Sequence, residues 1–343
     1  TAIDGTVLLA CQSPGNIFQE ATGKTLDIRK VNSNDAPPMA SRFAPDKGED
    51  HGTTFEDNTK FDTLSYMVPP GGTTTQSNRG RAVFAGGYRT PDKDVNIIDY
   101  IQIQSSGIVK DFGDLTQERE ALGGSGNETR GWFASGYDGD SPNANYDIID
   151  YITISTTANA LDFGNLSAIR RYAACLSNST RGVIGGGYGG SPAAYQDTIE
   201  YITIATTSNT TDFGNLTVAT TDMAGLNSPT RGILAGGASP SGNLDTIEYI
   251  TIATTGNATD FGNLTVARRA AASANSSTRG VFAGGQTPSV VNTIDYITIA
   301  STGNAADFGD LTAARGYMGK GQACTVERGL LQGGLEPSLV NTI

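Results

Sequence analysis

The sequence predicts an all-β protein, a ring of six four-stranded blades, on three observations. First, close copies of one stretch, Leu244 to Gly285, lie along most of the chain. A repeat of roughly 40–50 residues is the mark of a propeller blade. Second, the spacing holds in several phases at once. Phe112, Phe163, Phe213, Phe261 and Phe308 are separated by 51, 50, 48 and 47 residues. Tyr100, Tyr151, Tyr201, Tyr249 and Tyr296 keep step with them. So do the glycine pairs that open at Gly86, Gly186, Gly236, Gly284 and Gly333, with Ser135-Gly136 as a degenerate copy. Third, no segment carries a helical apolar period.

Each unit reads as four short strands. The first is small and flecked with polar groups, as in Ala270 to Ala274. The second, Gly280-Val281-Phe282-Ala283, is apolar and stops at the glycines. The third, Thr246 to Thr254, is rich in β-branched and aromatic residues. The fourth surrounds Asp260-Phe261-Gly262, and Thr255-Gly256-Asn257 is the expected turn before it, since Gly and Asn tolerate positive φ. The third strand is apolar on both faces, Ile247 and Tyr249 on one and Ile250 and Ile252 on the other. A sheet covered on both sides by neighbours needs that pattern. Small residues in the first two strands suit a crowded axis.

These residues carry a resemblance. RAAASANSSTRGVFAGG, then TIEYITIA, then LTVAR, resembles the kelch repeat, which pairs a Gly-Gly strand with a Tyr strand. The likeness covers about five-sixths of the chain. Kelch repeats usually have a Trp soon after the Tyr. Here the one Trp, Trp132, lies in another strand, and the Phe 12 residues after each Tyr is expected to take its packing role.

The chain ends complete the count. Leu64 precedes Gly86 by 22 residues, and Leu311 precedes Gly333 by 22. Residues 57–64 therefore read as an outer strand without a blade of its own. Asn341-Thr342-Ile343 matches Asn292-Thr293-Ile294, the start of a third strand. Joining head to tail gives six blades in residues 57–343, closed by an N-terminal outer strand that removes the free edges. Residues 1–56 fall outside the repeat and read as a β-rich connector or the remnant of an upstream domain. Their VLLACQS and MASRFAP segments resemble virion and tail proteins of marine bacteriophages. The first residue is Thr, so the chain is expected to be a processed or partial form. The apolar run before Cys11 is too short, and Asp4 has the wrong sign, for a lipoprotein signal.

Composition excludes several classes. Net charge is −12, against both a nucleic-acid partner and an anionic membrane surface. No apolar run approaches the roughly 20 residues of a membrane span, so no membrane insertion is expected. Cys11, Cys175 and Cys324 form no framework; Cys175 and Cys324 fall in first strands and read as small buried apolar groups. The single histidine, His51, lies outside the repeat, which weakens His-activated nucleophiles and His-ligated metals. No catalytic residue, metal or cofactor is expected.

A repeat supplies its own control: a residue in every blade is structural, and one unique to a blade is where function sits. Arg81, Arg130, Arg181, Arg231, Arg279 and Arg328 open the second strand of every unit. Asp111, Asp162, Asp212, Asp260 and Asp307 precede the repeated Phe, and an acid precedes each repeated Tyr. Recurring ion pairs or turn caps are expected there. Arg119, Arg170, Arg268 and Arg315 follow the repeated Leu by four residues, with Thr220 and Val68 in the other units. They read chiefly as inter-blade partners, and secondarily as a ring at one mouth of the axis suited to an anionic sugar. Six-bladed sialidases use arginines in this way, but their Asp-box is missing here. The loops after Gly-Gly vary most: Tyr88 and Arg89, Tyr137, Asp138 and Asp140, then Tyr188 and Tyr195. Loops on a rigid ring serve recognition, and Tyr stacks on sugars or fills protein pockets. Asp138, Asp140, Asn143 and Asn145 have the spacing of oxygen ligands but lack the glycine and final Glu of a calcium loop.

The expected function is that of a non-enzymatic virion or tail-appendage protein. Its partners are other virion proteins and a host-surface glycan or protein, and its place is the virion or the extracellular space. The alternative is a secreted or cell-surface bacterial propeller that binds or hydrolyses carbohydrate.

Overall fold

The structure, a computed structural model, describes residues 81–89, 93–103, 109–139, 144–319, 323–324 and 329–335. The chain divides into two compact units, Thr1–Pro70 and Gly71–Ile343, and every described residue belongs to the second. The expected connector 1–56 and closing strand 57–64 lie outside the described residues.

All described elements are strands, and they form a propeller-like series of small antiparallel sheets. The first sheet has three strands, Arg81–Ala85, Ile97–Gln102 and Lys110–Asp114. The second has Gly123–Gly126, Arg130–Ala134, Ala144–Thr153 and Leu161–Arg171, with the short strands Tyr137–Asp138, Tyr188–Gly189 and Ala194–Tyr195 paired onto it. The third has Ala174–Ser177, Arg181–Gly185, Thr198–Thr203 and Thr211–Asn215. The fourth has Ala224–Asn227, Arg231–Ala235, Thr246–Thr251 and Thr259–Asn263, and the fifth Ala272–Asn275, Arg279–Ala283, Thr293–Thr298 and Ala306–Asp310. A two-stranded sixth pairs Ala323–Cys324 with Gly329–Leu330. The described residues thus hold four complete blades where the sequence predicts six. The strands that would complete the first and sixth sheets fall at positions outside them.

Within each complete blade the strands run in simple up-and-down order from axis to rim. The first strands lie side by side across neighbouring blades. Ser125 Oγ and Ser177 Oγ are 2.7 Å apart, and Ser273 Oγ donates to Gly225 O at 2.6 Å. There is no room for larger groups: a Cβ on Gly123 would stand 2.6 Å from Cys175 Sγ. Cys175 is buried, as expected, while Cys324 is half-buried.

Sheets meet face to face through apolar groups. Leu176, Val183, Phe213, Leu234, Ile250 and Ile252 form one such cluster across the third and fourth sheets. Trp132 is fully buried in the space left by Gly182, where a Cβ would stand 2.7 Å from its ring. Each repeated Phe stands edge-on to the Tyr of its own blade, with Tyr151 and Phe163 centroids 5.8 Å apart. The sixth sheet abuts the first, where Leu330 packs on Ala82, Ile101 and Ile103.

The outer strand carries a bulge at the glycine of Asp-Phe-Gly, as between Ile247/Gly262 and Glu248/Asp260. That glycine adopts φ near +148° at Gly214, and a Cβ there would stand 2.4 Å from Gly256 O of the next blade. The Gly-Asn turn explains the closeness. Gly256 N donates to Phe213 O at 2.8 Å, and Asn257 Oδ1 accepts from Asn215 N at 3.0 Å. Asn159, Asn209 and Asn304 accept from the preceding blade in the same way. Neither Gly256 nor Asn257 has positive φ. The dipeptide, read from sequence as a positive-φ turn, is a latch between blades. A buried Leu, Ile or Phe contributes about 1.5–3 kcal/mol and a net hydrogen bond about 0.5–1.5 kcal/mol. Apolar contact therefore supplies most of the cohesion, and the latches set the register.

Candidate functional site

The repeated arginines resolve into two structural sets. Arg81, Arg130, Arg181, Arg231 and Arg279 lie over the Tyr of their own blade, 4.2 to 4.8 Å from the ring centroids. Four of them also donate to a carbonyl of the following blade, as Arg130 does to Ile204 O at 2.7 Å. They make cation–π and carbonyl contacts in place of the expected ion pairs or caps. Arg328 lies outside the described residues. The Asp before each repeated Phe is exposed, opposite the third-strand acid, which is buried at Asp150, Glu200, Glu248 and Asp295 and half-buried at Asp99.

Arg119, Arg170 and Arg268 are at most 1% exposed, so no ligand reaches them. Arg119 bonds Asp150 at 3.0 Å, Arg170 bonds Glu200, and Arg268 bonds Asp295 at 3.1 Å. Each pair joins one blade to the acid before the Tyr of the next. Thr116 donates its N–H and Oγ1 to Asp150, at 3.1 and 2.6 Å, and Thr265 does the same for Asp295. Burial pushes the three guanidinium pKa values down, and the paired acid opposes that shift. The inter-blade reading describes these residues, and the anionic-sugar ring at the mouth does not. Arg315 takes the same place at the next joint and is half-buried.

The residues that follow these arginines build one face. Glu120, Arg171, Thr221, Arg269 and Gly316 pair with Tyr137, Tyr188, Ala238, Gln286 and Leu335, the residues just after the glycine pairs. The variable loops therefore share this face. Next in sequence come Ala121, Tyr172, Asp222, Ala270 and Tyr317, all at φ between 54 and 60°. They bond in series: Tyr172 N donates to Ala121 O, Asp222 N to Tyr172 O, Ala270 N to Asp222 O and Tyr317 N to Ala270 O, at 2.8 to 3.1 Å. This arc of backbone bonds links five successive joints and carries Ala, Tyr, Asp, Ala and Tyr side chains in turn. The Tyr172 and Tyr317 rings stand 6.5 Å apart.

Arg171 is the hub of the face. Its guanidinium lies 4.1 Å from the Tyr137 ring centre, 5.5 Å from Tyr172 and 5.6 Å from Tyr188. Tyr188 in turn meets Tyr195 edge-on at 5.5 Å. Opposite, Arg269 approaches Tyr317 at 5.8 Å, and the Tyr317 hydroxyl donates to Gln286 Oε1 at 3.0 Å. Burial, helped by Asp222, pushes the Tyr172 phenol up to about 12. Tyr317 is raised by burial and Asp222, and Glu120 by burial and Asp94.

Of the residues predicted from sequence, Tyr137, Tyr188 and Tyr195 come together around Arg171. Tyr88 is exposed on the first sheet's hairpin, tied to the second through Asp94, which accepts from Gly139 N at 2.6 Å. Asp138 accepts from the Tyr146 hydroxyl at 3.3 Å. Asp140 and the Arg89 side chain lie outside the described residues. Arg171, Tyr172, Asp222, Arg269 and Tyr317 went unremarked in the sequence. The signal was present: they are the positions in the joints that change from blade to blade. Among the described residues no group of His, Cys, Asp or Glu side chains is placed to hold a metal ion. A cavity of about 710 Å³ opens between the first, second and sixth sheets. The first sheet has, among the described residues, no counterpart of the inner strand found in the complete blades, so we assign the cavity no ligand. The chain matches no protein-family model and no curated protein.

Proposed function

We propose that the chain is a non-enzymatic recognition propeller of a virion or tail appendage, binding a host-surface glycan or protein through the face built on Arg171. One observation carries this reading. Tyr137, Tyr172 and Tyr188 surround a guanidinium on a side of the blades where side chains differ from unit to unit. Tyr faces stack on sugar rings, and an arginine held among them reads a carboxylate or sulfate on the same sugar. The likeness of VLLACQS and MASRFAP to phage virion proteins supports the setting.

The finer architecture belongs to the same proposal: a six-bladed, kelch-like ring in which residues 57–64 supply the outer strand of the sixth blade. The contact of Leu330 with the first sheet supports it. So does Phe308, 54% exposed where Phe112, Phe163, Phe213 and Phe261 are each 2%. The fifth sheet has the contact surface of the others and, among the described residues, no blade upon it.

A glycan array and a cell-binding assay test the function. The wild type should bind a defined glycan class or host cell, and a Tyr88→Ala/Tyr137→Ala/Tyr188→Ala variant with an unchanged melting curve should lose at least tenfold in affinity. Full binding by the variant would remove the face from recognition, and glycoside turnover by the wild type would favour the secreted hydrolase.

A further inference from the structure

Three joints bury an arginine against a carboxylate, and at two of them a second arginine follows directly: Arg171 after Arg170, and Arg269 after Arg268. These two occupy equivalent positions two joints apart. Both are half-buried on the recognition face, Arg171 beside Tyr188 and Arg269 beside Gln286. Among the described residues neither forms an ion pair. The chain has 35 acidic side chains against 23 Lys and Arg, so an arginine left without a carboxylate stands out.

Arg171 makes no hydrogen bond to any described residue, and its Nε is buried without a partner. Tyrosine rings hold the guanidinium, and its terminal N–H groups remain for something outside the chain. Such a planar fork matches a carboxylate or a sulfate. Arg269 is held differently. Its Nε and Nη2 donate to Gln286 Oε1 at 3.3 and 3.0 Å, and the Tyr317 hydroxyl donates to the same oxygen. Gln286 is a neutral amide, so it orients Arg269 without cancelling its charge, and Nη1 is left over.

A path joins the two cations: Arg171 to Tyr172 at 5.5 Å, Tyr172 to Tyr317 at 6.5 Å, and Tyr317 to Arg269 at 5.8 Å. Asp222 stands by both tyrosines and is 3% exposed, and Glu120 is half-buried near Arg171. Asp222 makes the middle of the path unsuited to a negative group.

We propose that the face takes an acidic glycan, one carboxylate or sulfate on Arg171, a second on Arg269, and an uncharged ring over Tyr172 and Tyr317 between them. This rests on the recognition reading above and names its ligand class. Tyr rings offer flat faces to a sugar, which the acidic side chains of a peptide do not use. Two anchors on one molecule make the second contact intramolecular, so a ligand with both groups gains over a ligand with one.

The test is an array of glycans bearing uronate, sialic acid or sulfate, beside neutral dextran, mannan and chitin fragments. It includes hyaluronan and chondroitin fragments, in which a charged ring alternates with an uncharged one, and poly-glutamate as a competitor. The wild type should bind an acidic glycan with two negative groups at least about tenfold tighter than one with a single group. Neutral glycans and poly-glutamate should not compete. Arg171→Gln and Arg269→Gln should each weaken that binding at least about tenfold, with the melting curve unchanged because neither breaks an ion pair. Equal binding of neutral glycans by the wild type, displacement by poly-glutamate, no acidic glycan bound, or full binding by both folded variants overturns the proposal; the wild-type array needs no variant to fold. A neutral-glycan hit that requires Tyr137 and Tyr188 would leave the recognition reading standing, whereas no bound glycan and no bound cell would remove both.

Discussion

Tyr172 occupies a left-handed backbone position, φ 59°, and presses its ring into the axial arc. Its phenol is pushed up to about 12, first by burial and then by Asp222 and Glu120. An unfolded tyrosine ionises near pH ~10. The folded protein therefore holds the proton more tightly than the unfolded chain. The stability linked to it is complete below the unfolded value and is lost as pH rises from there through about 12. In a spectrophotometric titration at the phenolate band, Tyr172→Phe should remove one phenol titrating near 12 and leave the earlier transitions in place. Loss of a phenol titrating near pH ~10 would place Tyr172 in solvent instead. This residue shows where sequence reading stops. The repeat marks Arg170, two residues earlier, because arginine recurs at that spacing. It cannot mark Tyr172, Asp222 and Tyr317 as neighbours, because they stand 50 and 95 residues apart and meet only when the joints are bent around an axis. Arg119 is the converse case. Its spacing and its inter-blade role were legible, but its particular partner, Asp150 of the next blade, 31 residues on, was not.

At the scale of the element, the unit is the latch between an outer strand and the following turn. Gly214 combines φ +148° with a Cβ position 2.4 Å from Gly256 O, which is backbone and cannot move aside. Gly242, in an exposed hairpin turn at φ +124°, has nothing within 4 Å of its Cβ position. Both carry the cost of an L side chain at positive φ, about 1–3 kcal/mol. Gly214→Ala adds the clash and separates two blades. It should cost at least ~4 kcal/mol in denaturant unfolding, while Gly242→Ala stays within ~1–3 kcal/mol. Equal costs would mean that the bulge relaxes and that blades are held by their apolar faces alone. Strand order was legible because period and alternation are local in sequence. The latch was not, because Gly and Asn signal a turn whether or not the turn has a neighbour to grip. The four repeated Asn contacts, from Asn159 to Asn304, give the dipeptide its second purpose.

For the whole molecule, the question is what covers the last of the four complete blades found among the described residues. Phe261 is buried because the fourth sheet is covered by Ile297, Ile299 and Ala305 of the fifth. Phe308 holds the same place in the fifth sheet and is 54% exposed, and a Cβ on Gly309 would meet nothing within 4 Å. A propeller face left this way loses the apolar contact that supplies most of the cohesion at every other joint. In the proposed closure, the repeat aligns Asp57, Asn58 and Phe61 in sequence with Asn304, Ala305 and Phe308. Phe308→Ala in the full chain should then cost about 3–5 kcal/mol, the loss of a buried phenyl, and Phe61→Ala a similar amount. A solvent-facing phenyl costs no more than ~0.5 kcal/mol on removal. Neutral behaviour of both variants would leave the fifth sheet as a true free edge, and six blades would have to be completed by something other than residues 57–64. A cost at Phe308 with neutrality at Phe61 would show the face covered by other residues or another chain, and would assign the N-terminal segment to the upstream unit alone.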